Sequence, residues 1–152
     1  MTVADNLAEL GLELPSAAAP MAMYRPAVRS GRLVYVSGQV AIRDGAIVHP
    51  GRLGDSVEVE QGQEAARVCA INALAAANEL LGDLEQVRVI RAVGYVASTP
   101  TFTDQPAVIN GASELLRDVL GEERGVGTRL ALGVTSLPAN SPVELELILE
   151  TG

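Results

Sequence analysis

The chain has 152 residues, 48% of them hydrophobic, enough to build one domain around a full core. Its eleven basic residues are all arginines, and against nineteen acidic residues they leave a net charge of −8. That balance argues against nucleic acid as the main partner, because phosphate contacts dominate such binding. The lack of lysine excludes Schiff-base and Walker-type lysine chemistry, and a single histidine, His49, excludes a multi-histidine metal site.

Residues 2–14 read as a short amphipathic helix with an extension, and Pro15 to Pro20 as a small-residue loop. Residues 27–42 read as a hairpin, with Arg29-Ser30-Gly31-Arg32 as the turn and Leu33 to Val36 as a buried strand. Residues 43–56, holding Gly45, Pro50, Gly51 and Gly54, read as a surface loop. Asp55 or Ser56 can cap a long helix running to about Leu81, ended by Gly82-Asp83. Its small stripe of Ala65, Ala66, Cys69, Ala70, Ala73 and Ala77 lets it lie close to a sheet. Cys69 is the one cysteine, so no intrachain disulfide can form, which suits a reducing compartment. Residues 87–98 read as a strand, a second helix begins at 102–104 and reaches about Leu120, and residues 121–127 form a glycine-rich loop.

The last twenty-five residues read as two strands joined by a proline-bearing loop. In the first, Leu130, Leu132 and Val134 share one face, and Arg129, Ala131, Gly133 and Thr135 the other. In the second, Val143, Leu145, Leu147 and Leu149 oppose Glu144 and Glu146. An arginine among small neighbours can approach a carboxylate with its planar fork. The order β-β-α-β-α-β-β predicts an α+β single domain over residues 1–152, with residues 1–20 as an N-terminal extension and two helices on one face of a mixed sheet. The far face is expected to carry Arg129, Ala131, Thr135, Glu144, Glu146 and Ser37. It is too rich in small residues for an ordinary solvated surface, so it predicts self-association, with ligand sites at subunit interfaces. No secretory signal pattern and no 18-residue apolar span occurs, so a soluble, cytoplasmic protein without membrane contact is expected.

Tyr24-Arg25-Pro26-Ala27-Val28, LVYVSGQV with Ser37-Gly38-Gln39, Val108-Ile109-Asn110-Gly111-Ala112, Arg129, Leu137-Pro138 and Val143-Glu144-Leu145-Glu146 span nearly the whole chain. In this order they resemble the RidA/YjgF family of reactive-intermediate deaminases, formerly described as endoribonuclease L-PSP. The resemblance implies a chorismate-mutase-like fold and a homotrimer with three clefts between subunits. It implies hydrolysis of 2-imino and 2-enamino acids to 2-oxo acids and ammonia, with no cofactor and no metal. Arg129 falls where the family's carboxylate-binding arginine stands, and Glu144 where a glutamate places the attacking water. Tyr24, Ser37, Gly38, Asn110 and Ala131 fall at substrate-binding positions. Ala131 stands where many members carry cysteine, Leu130 is bulkier than usual, and the N-terminal region and the 43–56 loop are longer. These departures resemble a longer-chain subgroup.

An iminium carbon is already electrophilic, so the catalyst needs to hold the carboxylate and place a water. Were the last two strands a hairpin turning between Pro138 and Ser141, Arg129 would lie near Glu150. Glu144 would then be about 20 Å away at ~3.3 Å per residue. One hairpin could not bring both into one pocket, so neighbouring subunits would have to supply them. A second function fits the same residues: a non-catalytic trimer that holds a small carboxylate metabolite. Simpler roles exist for each residue: a structural ion pair for Arg129, a solvated strand position for Glu144, an interface aromatic for Tyr24. Asn110 would then cap backbone, Ser37-Gly38 form a tight turn, Cys69 fill the core and His49 face solvent.

Overall fold

The alternation of Val143, Leu145, Leu147 and Leu149 fixes the centre of the molecule. All four side chains are at most 1% exposed and face two helices. In the computed structural model, which describes residues 1–152, they belong to β7 (Val143–Glu150), the middle strand of a five-stranded sheet ordered β1-β2-β7-β5-β6. The other strands are β1 (Ala27–Ser30), β2 (Leu33–Val40), β5 (Arg88–Ala97) and β6 (Thr128–Val134). The helices against it are α2 (Val59–Leu81) and α3 (Gln105–Leu120), preceded by the short α1 (Val3–Glu9). The observed α+β domain with both main helices on one face matches the expected layer. No helix is long and apolar enough to cross a membrane.

The alanine stripe of α2 lies sealed against the sheet, with Ala65, Ala66, Ala70, Ala73 and Ala77 fully buried. Cys69 is buried among them, and its thiol donates to the Val143 carbonyl oxygen at 3.4 Å. The two helices also touch each other closely. A methyl group on Gly111 would stand 2.1 Å from the Gln63 carbonyl oxygen, so only glycine fits there.

Several local expectations are corrected. The 43–56 loop holds a two-stranded ribbon, β3 (Ile42–Arg43) with β4 (Ala46–Ile47), turning through Asp44 and Gly45 at positive φ. Strands of two residues are too short to show a period. The cap of α2 is Glu58 rather than Asp55 or Ser56, and its N–H donates to Gln61 Oε1 at 2.9 Å. The 121–127 loop contains a one-turn helix, α4 (Glu122–Gly125). The β1–β2 turn is tighter than expected, because Ser30 already pairs with Leu33. The strand from Leu33 is buried on one side only: Val34 and Val36 are covered while Tyr35 is 46% exposed.

The larger correction concerns the last two strands. They are not a hairpin, because β5 lies between them. The chain leaves β5, crosses the sheet as α3 and returns as β6 parallel to β5, as crossover connections require. The Pro138 loop then passes the end of β5, where Ala97 N–H donates to the Pro142 oxygen and Ser98 N–H to the Val134 oxygen.

The faces of β6 are also reversed from expectation. Ala131 pairs with Gly94, which lies beneath Ile109 of α3, and Gly94 pairs with buried Leu145. Arg129, Ala131 and Gly133 therefore sit on the helix side, and Leu130, Leu132 and Val134 on the open side. Glu144, Glu146 and Tyr95 do share that open side, beside Val28, Tyr35 and Leu130, which are 47%, 46% and 48% exposed.

The N-terminal extension is tied down at three places. Val3 N–H donates to the Glu85 carboxylate, Asn6 Nδ2 to the Val119 oxygen at 2.8 Å, and Ala17 N–H to Glu79 at 3.2 Å. The strap that follows α1 thus crosses the molecule toward the open end of β2.

Candidate functional site

Between Val36 and Gln39 the register of β2 against β7 shifts, and Ser37-Gly38 occupies the irregularity. Ser37 is anchored there: its N–H donates to the Pro26 oxygen at 2.8 Å and its hydroxyl to the Arg25 oxygen at 2.6 Å. The space opened is a cavity of about 690 Å³. Ser37, Gly38, Gln39 and Glu144 line its sheet side, and Ala18, Ala19, Met21, Ala22 and Tyr24 of the strap line the other. Tyr24, Ser37, Gly38 and Glu144 are thereby brought together. The strap alanines and Met21 are lining residues that the sequence reading missed, since a small-residue loop carries no periodic signal.

Gly38 has a clear steric reason. A Cβ at this position would stand 2.4 Å from Glu144 Oε1, so the absence of a side chain is what lets the carboxylate rest there. Gly38→Ala is expected to keep the fold, since the colliding atom ends a flexible side chain. It should still displace the Glu144 carboxylate, and any reaction that depends on where that carboxylate stands should slow about 10²-fold, the scale of loss for a misplacement near 1 Å. Circular dichroism with steady-state kinetics on the variant checks this. An active Gly38→Ala protein would separate Glu144's position from the chemistry.

Glu144 is half-buried, and burial, then the nearby Glu146 carboxylate, push its pKa up from the ordinary 4.5. Glu146 accepts a hydrogen bond from the Tyr95 hydroxyl at 2.9 Å, and that bond pushes the phenol up in turn. Glu144 itself is left with no hydrogen-bond donor from the chain. A carboxylate poised in this way can take a proton from water more readily than a free glutamate.

Arg129 sits on the other side of the sheet. Its Nη1 donates to Asn110 Oδ1 at 2.7 Å and to Ser113 Oγ at 3.2 Å, and Nη2 reaches the Pro106 oxygen at 3.5 Å. All three acceptors belong to α3, where Asn110 and Ser113 are one turn apart. Asn110 thus holds the guanidinium rather than capping backbone. Ser113 was missed, although its i+3 spacing from Asn110 was readable. Of the five N–H donors, Nε and part of Nη2 remain for an incoming carboxylate. Ala131 lies two residues along the same face.

Within one chain these two groups do not meet. Arg129 pairs with Ala92, Ala92 with Leu147, and Glu144 lies three residues from Leu147. Two strand spacings of about 4.8 Å and three rises of about 3.3 Å separate their Cα atoms by roughly 14 Å, on opposite faces. The separation expected from a hairpin is thus present for a different reason. His49 is bonded to Glu64 at 2.7 Å and lines neither half. No group of three His, Cys, Asp or Glu side chains is arranged to hold a metal ion.

Residues 4–150 match the family model described as "YjgF/chorismate_mutase-like, putative endoribonuclease". Protein TCP17 of Trypanosoma cruzi is 44% identical over 149 residues, which cover 97% of this chain and 93% of that protein. Among solved structures, Atu1372 of Agrobacterium tumefaciens, a protein of unknown function, is 45% identical with a TM-score of 0.91, covering 99% of this chain and 92% of that one. A Shewanella oneidensis protein described as a "putative endoribonuclease" superposes with a TM-score of 0.94 at 30% identity, covering 99% of both chains. Sequence and backbone agree along nearly the full length, and the chain belongs to the YjgF/RidA family.

Proposed function

We propose that this protein hydrolyses 2-imino and 2-enamino acids to 2-oxo acids and ammonia, at clefts completed between the subunits of a homotrimer. The observation that carries this reading is the split site. Arg129, pre-set by Asn110 and Ser113, stands exposed on one face, and Glu144, without a donor, lines a cavity on the other. Each is incomplete for a substrate of this class, and each supplies what the other lacks.

In the proposed cleft the substrate carboxylate lies on the free edge of the Arg129 guanidinium, held by charge-assisted hydrogen bonds. Glu144 of a neighbouring subunit orients a water against the C2 carbon. The substrate reacts as its protonated imine, C=NH2+: as the C–O bond forms, the C=N π pair moves to nitrogen to give a neutral amine, and Glu144 takes the water proton. Returning that proton to nitrogen makes ammonia the leaving group. The C–N bond then breaks, the oxygen loses its proton, and the 2-oxo acid remains. General-base assistance of this kind contributes roughly 10²–10⁴ in rate. Tyr24, Ser37, Gly38 and Ala131 shape the walls. The net charge of −8 and a lone histidine already bonded to Glu64 make the imine reading preferable to phosphodiester cleavage.

The test is direct. An amino-acid oxidase generates a 2-imino acid in place, and release of ammonia and 2-oxo acid is followed with and without the protein. Acceleration is expected. None across several amino-acid side chains would overturn the reading in favour of a binding protein.

The assembly has its own test. Val28, Tyr35 and Leu130 expose apolar surface on the open face, which a neighbouring subunit would cover. Leu130→Arg places a charge in that contact, which burial without a partner makes costly. Light scattering should show the wild type as a trimer and Leu130→Arg as a monomer without turnover. A monomeric wild type would contradict the proposed cleft.

A further inference from the structure

Behind the N-terminal strap lies a second cavity of about 710 Å³, open on one side and lined by the segment from Leu12 to Ala19, by Ile42 to Gly45 and by one face of α2. We infer that it is a ligand site for a free α-amino acid with an apolar side chain. Its volume is in the range of small-molecule sites. The walls sort by chemistry. Leu12, Ile42, Val68 and Ile71 give an apolar body, with Val68 and Ile71 on one stripe of α2.

Charges of both signs surround it. Arg43 and His49 already bind Glu64, at 3.3 and 2.7 Å, so that carboxylate is satisfied. Arg67, one turn further along α2, is half-buried and takes part in none of the chain's ion pairs, which are Arg32–Glu150, Arg43–Glu64, His49–Glu64 and Arg117–Asp118. Glu13 and Asp44 line the same cavity and are equally unpaired.

Asn72 is the sharper sign. It is 6% exposed, and its Nδ2 hydrogens are both used, on the Val40 oxygen at 3.2 Å and the Ile42 oxygen at 2.9 Å. Its Oδ1 accepts no hydrogen bond from the chain, yet no buried side-chain oxygen is sealed off without a partner. Asn72 lines the cavity, and its Oδ1 is the side-chain polar atom left for a donor from outside the chain, at the edge of an apolar wall. Water can reach that acceptor in the free protein, and a ligand that displaces the water has to supply a donor of its own. An ammonium group is such a donor, with Glu13 and Asp44 adding favourable charge. Arg67 takes the carboxylate, and the apolar side chain rests on Ile71 and Leu12. A ligand lacking either charge would leave Arg67 or Asn72 unmatched.

This site is separate from the Glu144 cavity, although Ala18, Ala19 and Ile42 form a wall common to both. The experiment therefore uses Arg129→Ala protein, in which the first site has lost its carboxylate anchor, and follows backbone amide shifts during titration. L-leucine is expected to give saturable shifts at Leu12, Ile42 and Ile71 with Kd about 1 mM or below. Arg67→Gln in the same background should weaken it about tenfold or more. So should replacing leucine by 4-methyl-2-oxopentanoate, which has no ammonium, or by leucinamide, which has no carboxylate. Ile71→Trp, which fills the cavity with apolar bulk, should abolish binding with the melting temperature retained. Deaminase activity of otherwise wild-type protein should be unaffected by Arg67→Gln, so this site and the reaction are tested independently. Shifts confined to Ser37, Gly38 and Asn110, the absence of saturation, or equal binding by Arg67→Gln would overturn the inference.

Discussion

Replacing Arg129 by alanine is expected to lower kcat/KM for imino-acid hydrolysis by about 10²–10⁴. That is the scale of losing ~3–5 kcal/mol of charge-assisted hydrogen bonding to the carboxylate. Arg129→Lys should recover little of it. Lysine keeps the charge but not the planar fork, and it cannot span Asn110, Ser113 and a carboxylate together. Stability should hardly change, because Arg129 is exposed and its partners stay accessible to water. The more decisive form of this prediction uses two inactive proteins. If one subunit provides Arg129 and its neighbour Glu144, co-refolding Arg129→Ala with Glu144→Gln rebuilds some intact clefts. Random assembly of equal amounts makes about one cleft in four wild-type in a ring of heterologous contacts. Activity should therefore rise to about a quarter of the wild-type level from two near-silent preparations. If both residues served a site within one chain, mixing would give only the sum of the two residual rates. The roughly 14 Å between their Cα atoms and their placement on opposite faces give no reason to expect that second outcome.

How far the sequence speaks depends on whether the partner of each residue lies in the same chain. The alternation in β7 was legible because Val143, Leu145, Leu147 and Leu149 are all buried on the helix side of the sheet, so pattern and burial coincide. The alternation in β6 was just as regular and pointed the wrong way. Leu130 and Leu132 form the apolar face but look away from the helices, while Arg129, Ala131 and Gly133 lie toward α3. An apolar face on an edge strand marks a surface that wants covering, and it does not say by what. The hairpin reading failed because proximity in sequence favours pairing. Here the α3 crossover had already placed β6 beside β5 before the chain turned back. The cavity around Glu144 was legible only through resemblance. Its walls come from the strap between residues 18 and 26, the bulged stretch 37–40, Ile42, Pro138 and two residues of β7, segments with no shared periodicity. Asn72 lies outside any motif and is visible only once its two carbonyl partners are in place.

The Glu144→Gln protein should separate the chemistry from the fold more cleanly than any other variant. Turnover is expected to fall about 10²–10⁴-fold through loss of the general base. Binding of a 2-oxo acid product should persist, because Arg129 and its supports are untouched. Stability should move the other way. Burial and Glu146 raise the folded-state pKa of Glu144 above 4.5, so the folded chain binds its proton more readily than the unfolded one. The ionised side chain is therefore a liability to the fold above that raised value, and none at all below 4.5, where it is protonated in both states. Glu144→Gln should then melt slightly higher than wild type at neutral pH. The gain should fade as the pH falls through the folded pKa and vanish below 4.5. Its size stays small because the side chain keeps contact with water. The same electrostatics set the rate profile. The acid limb of kcat/KM should have its midpoint above 4.5 in the wild type, and Glu146→Gln should move it back down by removing the neighbouring charge. An acid limb indifferent to Glu146, together with a Glu144→Gln protein that still turns over, would mean that water is placed by some other group and that Glu144 only shapes the wall.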